Sequence, residues 1–68
     1  MGRDDVVEFN DVKVIKASER AILCRCDDWY ADEWIPLSQI SDDSDVFEEG
    51  DEGLLIVTEW IATQKGLI

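Results

Sequence analysis

No apolar run in this chain exceeds four residues, as in Leu54-Leu55-Ile56-Val57. Runs this short cannot cross a bilayer as a helix, which takes about 20 apolar residues. They suit a small sheet, whose apolar face is assembled from several brief segments. The chain has 68 residues, so it is expected to form one domain near the lower size limit for folding unaided. A core of that size supplies roughly 3–5 kcal/mol. With 46% apolar residues and three Trp, the composition is still that of a globular protein.

Residues 1–5 read as a frayed start and 6–68 as the single β-rich domain. From Glu8 to Ala17, charged Asp11, Lys13 and Lys16 interleave with Val and Ile, which predicts a half-buried strand. Ser18-Glu19-Arg20 is a polar connection to a second strand, Ala21 to Cys26, and the two make an antiparallel hairpin. On that second strand Ile22, Cys24 and Cys26 share one face, and Ala21, Leu23 and Arg25 the other. The polar stretch 27–33 is a hairpin tip, and Glu33 to Leu37 a third strand ended by Pro36, which cannot donate to a sheet. Ser38-Gln39-Ile40 predicts a single helical turn. Leu54 to Thr58, apolar on both faces, reads as a fourth and central strand.

Thr58 is placed to cap a short helix, with Glu59 at its positive end, Lys65 at its negative end and Gly66 as its stop. Trp60 and Ile61 are expected to close one end of the core while Thr63 and Gln64 face solvent. Trp34 is also expected in the core. The fold class that follows is mainly β (α+β): a small four- to five-stranded antiparallel barrel, SH3-like or OB-like, with a short C-terminal helix. Closing the sheet removes edges that so small a protein has little chain to cover.

The net charge of −11 is concentrated. From Asp27 to Glu52 there are eleven acids and no Lys or Arg, while the flanks together carry six acids and six bases. Within that block, residues 41–53 hold seven carboxylates. Such asymmetry is the main functional signal here. It opposes nucleic-acid binding, which gains affinity by replacing counterions with Lys and Arg.

Catalytic chemistry finds little to work with. There is no histidine, so the commonest general base and metal ligand is missing. Ser18, Ser38, Ser41 and Ser44 have no imidazole to activate them, and no glycine-rich phosphate loop is present. An EF-hand with Gly50 at its sixth position begins at Asp45, but puts Phe47 at the third and Ile56 at the twelfth, so the motif fails. Cys24 and Cys26 supply two thiolates where zinc needs four ligands, and a disulfide between them would strain a strand; buried apolar thiols are the simpler reading. No enzyme activity, cofactor or metal is expected.

Two readings of the acidic block remain. In one it is a solvated, solubilising surface, as an organism with high internal salt would also favour. In the other it imitates the charge of nucleic acid. A compact chain of this length has a radius of gyration of about 11 Å and a diameter of roughly 28 Å. Duplex DNA of that length carries about 16 charges, of which a bound protein faces about half. Eleven uncompensated carboxylates match that density. Asp27, Asp28, Asp32 and Glu33 would form one acidic ridge, and Asp42, Asp43, Asp45, Glu48, Glu49, Asp51 and Glu52 the other. Trp29 and Tyr30 would supply the desolvated contact that charge alone lacks. The partner is then a basic nucleic-acid-binding protein, with no direct nucleic acid and no membrane.

"EWIPLSQI", residues 33–40, and "VTEWIATQKGL", residues 57–67, resemble segments of small proteins encoded by phages and mobile elements; together they cover about a quarter of the chain. In size and charge the chain also resembles the anti-CRISPR proteins that mimic DNA. The resemblance implies a phage-type inhibitor acting in the host cytoplasm on a host-defence nuclease or complex. The alternative it leaves open is a phage accessory or structural module that contacts its partner through Trp29 and Tyr30. The absence of an apolar leader makes the cytoplasm the expected location. A homodimer is a further expectation, since so small a core gains from burying more surface.

Overall fold

A computed structural model of the protein describes residues 5–68. The frayed start expected over residues 1–5 lies outside them except for Asp5. Four strands and one helix follow in order: β1 (Val6–Ala17), β2 (Ala21–Arg25), β3 (Glu33–Pro36), a single 3-10 turn (Leu37–Gln39), β4 (Glu52–Thr58) and α1 (Glu59–Gln64). The protein is mainly β, a four-stranded antiparallel sheet ordered β3-β2-β1-β4 with a short C-terminal helix.

β1 bends the sheet. Its pairing with β4 slips between Phe9 and Val12, where Asp11 takes a φ of 59°, a left-handed conformation that Asp tolerates better than most residues. Simple alternation would put Phe9 and Val12 on opposite faces. The bulge resets the parity, so that Phe9, Val12 and Val14 all turn into the core. A second slip, between Val14 and Lys16 against β2, turns Lys16 outward beside Leu23. Ile22, Cys24 and Cys26 are buried together as the alternation requires, while Arg25 is exposed.

The loops and the helix follow their sequence signals. Ser18 closes the β1–β2 turn, its N–H donating to the Ala21 carbonyl at 2.8 Å. Thr58 Oγ1 accepts from the Ile61 N–H at 3.2 Å and caps α1. At the other end Gly66, with a φ of 72°, lets the Leu67 N–H reach back to the Ala62 carbonyl at 2.8 Å. Ile61 and Ala62 are buried, and Thr63 and Gln64 are exposed.

Two expectations are corrected. β4 is the last strand of the ladder and not a central one. It is buried at Leu55, Ile56 and Val57 because residues 40–45 run along its outer edge, so it has chain on both sides. Trp34 and Trp60 are not core residues: they are 42% and 59% exposed. On β3, Ile35 takes the inward position and Trp34 the outward one; on α1, Ile61 and Ala62 take the inward positions.

The sheet is strongly curled. Ile40 bridges to Val57, which pairs with Val7 near the start of β1, whereas Pro36 pairs with Ala21 beside the end of β1. Those two levels lie about 30 Å apart along a flat strand. The four peptide units from Pro36 to Ile40 span at most about 14 Å. Only bending of the sheet brings them within reach. The radius of gyration, 10.7 Å, matches the expected compactness.

Candidate functional site

The acidic stretch after the 3-10 turn is folded onto the sheet. Ser41 N–H donates to the Ile56 carbonyl at 2.8 Å, and Asp45 N–H to the Leu54 carbonyl at 2.7 Å. Between them the buried Ser44 side chain acts as a strand partner. Its Oγ accepts from the Ile56 N–H at 2.8 Å and lies 3.0 Å from the Ile56 carbonyl, to which it donates. Ser44 thereby satisfies edge groups of β4 that would otherwise need water or a partner chain. Asp45 Oδ2 accepts from the Leu54 N–H at 3.2 Å, and Asp45 packs so closely on Gly53 that a Cβ there would sit 3.0 Å from its own. Val46, fully buried, pins the segment into the core.

A turn then returns the chain to β4. Asp51 Oδ2 accepts from the N–H groups of Phe47 and Glu48, both at 2.9 Å. These two bonds hold its carboxyl below the usual carboxylate range. Gly50, with a φ of 92°, makes the tight corner, and its N–H donates to the Val14 carbonyl at 3.0 Å. Of the seven carboxylates in 41–53, Asp45 and Asp51 are therefore fasteners. Asp42, Asp43, Glu48, Glu49 and Glu52 are exposed.

The other predicted ridge lies at the β2–β3 tip. Asp27 and Asp28 are exposed and Glu33 is half-buried. Arg25 Nε and Nη2 donate to the two Asp32 oxygens at 2.9 and 3.0 Å. This bidentate pair lowers the Asp32 pKa, chiefly through the Arg25 hydrogen bond, and raises that of Arg25. Asp32 thus adds little net charge to the ridge. Among the described residues it is the only acid in an ion pair. Trp29 is half-buried: its ring meets Phe9 edge-to-face with centroids 5.2 Å apart, and its indole N–H is buried without a partner among the described residues. Tyr30, the next residue, is fully exposed.

The two ridges do not merge within the sheet. The tip reaches the β2 side of β1, where the Cys26 thiol contacts the Asn10 carbonyl at 3.8 Å. The 47–51 turn reaches the β4 side of β1 at Val14. Between them stand Lys13, in register with Arg25 on one side and Glu52 on the other, and Lys16, beside Leu23. Two acidic regions therefore flank the strand that carries these two lysines. Sequence reasoning missed Trp34, which lies outward across from Leu23 on the edge strand β3. The two-residue period of Glu33-Trp34-Ile35-Pro36 could have found it, since Ile35 and Trp34 cannot both face inward.

Cys24 and Cys26 are free, buried thiols, and burial pushes the Cys24 thiol up to about 12, so it stays protonated and unreactive. Among the described residues no three His, Cys, Asp or Glu side chains are grouped to hold a metal ion, and no helix is long and apolar enough to cross a membrane. Comparison with protein families, curated proteins and solved structures gives no match.

Proposed function

We propose that this chain is a non-catalytic binding protein whose exposed carboxylates occupy a basic surface, that of a nucleic-acid-binding protein. The observation that carries the reading is the state of the acids. Eleven lie between Asp27 and Glu52, and among the described residues only Asp32 is in an ion pair. Like charges held on a folded surface repel one another, and a cationic groove relieves that repulsion while being attracted at long range. The finer reading, taken from the phage resemblance, is an inhibitor of a host-defence nuclease acting in the host cytoplasm by imitating nucleic-acid charge. The fold reading that accompanies it is an SH3-like or OB-like barrel, which the Ile40–Val57 bridge and the short Pro36–Ile40 span support.

The test is binding to candidate nucleases at rising salt, with a variant that reverses Asp42, Asp43, Glu48 and Glu49 to Lys. These four are exposed, and the set leaves the fasteners Asp45 and Asp51 intact. Affinity should fall steeply with salt and by more than about tenfold with the variant. Binding insensitive to both would instead favour an accessory module using an apolar contact, a reading to which the full exposure of Tyr30 lends support.

A further inference from the structure

We infer that the outer edge of β3 is the seat of the partner, which adds an extended Lys/Arg-bearing segment to the sheet as a further strand. The inference rests on the proposed basic partner and locates its point of contact. The ladder β3-β2-β1-β4 has two ends, and residues 40–45 cover the β4 end. Among the described residues no backbone group bonds β3 on its outer side.

The register shows what that edge offers. Leu37 N–H donates to the Arg20 carbonyl at 2.8 Å, so in an antiparallel ladder Ile35 and Glu33 also turn their backbone groups toward β2. The N–H and C=O of Trp34 and the C=O of Pro36 then point outward, ready for an added strand. Natural edges are blunted by shortness, charged side chains, bulges or Pro. Here the strand is four residues long, with Glu33 at one end and Pro36 at the other, which leaves the outward backbone of Trp34 open between them. Side chains add to the invitation. Trp34 is 42% exposed above the half-buried Leu23, and Tyr30 is fully exposed at the adjoining tip.

Charge decides which strand fits. Asp27, Asp28 and Glu33 flank this edge without ion-pair partners among the described residues, while Arg25 is held by Asp32. An incoming strand with alternating cations meets the carboxylates on one side, and its other side chains or an Arg stem lie against Trp34. A second copy of this chain is the poorer occupant, because it brings another charge of −11 and its own Glu33 to the same edge.

The test uses two blocked decapeptides of equal charge and sequence, both alternating Lys-Thr, the second methylated at every backbone nitrogen. Each is titrated into the labelled protein at low salt and followed by amide resonances. Methylation removes every backbone donor from the second peptide, so only the unmethylated one, hereafter the Lys-Thr peptide, can add as a strand. The Lys-Thr peptide should shift Glu33, Trp34 and Ile35, slow exchange of the Trp34 N–H, and bind about tenfold more tightly, the effect of one net backbone hydrogen bond. Trp34→Thr, at an exposed position, should weaken it. Equal binding of both peptides, with shifts confined to Asp42–Glu52, would overturn the β3 seat and leave the charge reading standing. Absence of binding by either peptide would overturn both.

Discussion

Between Ser41 and Glu52 the chain uses its polar groups on itself: Ser44 bonds both backbone groups of Ile56, Asp45 holds Leu54, and Asp51 holds Phe47 and Glu48. Between Asp27 and Glu33, a stretch of similar acidity, only Asp32 and Trp29 serve the fold, through Arg25 and Phe9. Asp27, Asp28 and Tyr30 stand clear of it. The first region covers an edge of the sheet, and the second lies next to the edge that is left open. Acidity alone therefore does not mark a binding surface. What separates the regions is whether the sheet edge beside the acids is already covered from within the chain.

The largest effect should come from breaking the fastened region at Ser44. Ser44→Ala removes the acceptor of the buried Ile56 N–H, while the Ile56 carbonyl keeps its bond from Ser41. An orphaned buried donor costs about 2 kcal/mol, a large share of the roughly 3–5 kcal/mol available to so small a core. The urea midpoint should fall accordingly, and amide exchange at Asp45 should quicken as the 41–45 segment lifts from β4. A loss below about 0.5 kcal/mol would mean that this segment is not stapled to the edge, and the contrast between the regions would fail.

A smaller effect, legible through pH, should come from Asp51. Its folded pKa lies below the ordinary value because two N–H groups bond the carboxylate. The stability it contributes is therefore present above the unfolded pKa and is lost as pH falls through the lowered folded one. The Arg25–Asp32 pair has the same sign. Urea midpoints of wild type and Asp51→Asn should differ most near about pH 6 and converge toward about pH 2. A difference that stays constant across that window would assign the effect of the variant to shape and not to charge.

The local elements were legible because each carries its own signal. The Thr58 cap, the Gly66 stop, the Ser18–Arg20 turn and the alternation of Ile22, Cys24 and Cys26 are set by neighbours a few residues apart. Strand order was not legible in this way. Leu54 to Val57 has the composition of a central strand because it is flanked on both sides, but one flank is the polar segment 40–45. That segment pairs through the Ser44 hydroxyl, the Asp45 carboxylate and the backbone of Ile40, Ser41 and Asp45, and so carries no strand pattern of its own. Trp34 and Trp60 were misplaced because size outweighed period: in each case an adjacent Ile already held the inward position. For the candidate site, the acids were readable as a group, but the division into fasteners and free carboxylates was not. That division depends on which backbone donors the curled sheet brings to Asp45 and Asp51.

The smallest effect on stability should come from Tyr30, and its smallness is the point. A side chain that is fully exposed on a tip makes no packing contact for the fold to lose, so Tyr30→Ala should move the urea midpoint by less than about 0.5 kcal/mol. Trp29, its neighbour, is set against Phe9, and its removal should cost clearly more. Affinity for the Lys-Thr decapeptide should show the reverse order, falling with Tyr30→Ala while the fold is unchanged. If Tyr30→Ala instead destabilised the protein as Ser44→Ala does, the tip would be fastened structure like the β4 edge. A loss of affinity with no loss of stability would mark Tyr30 as a contact of the proposed partner, since a singly exposed aromatic is by itself an ordinary surface feature.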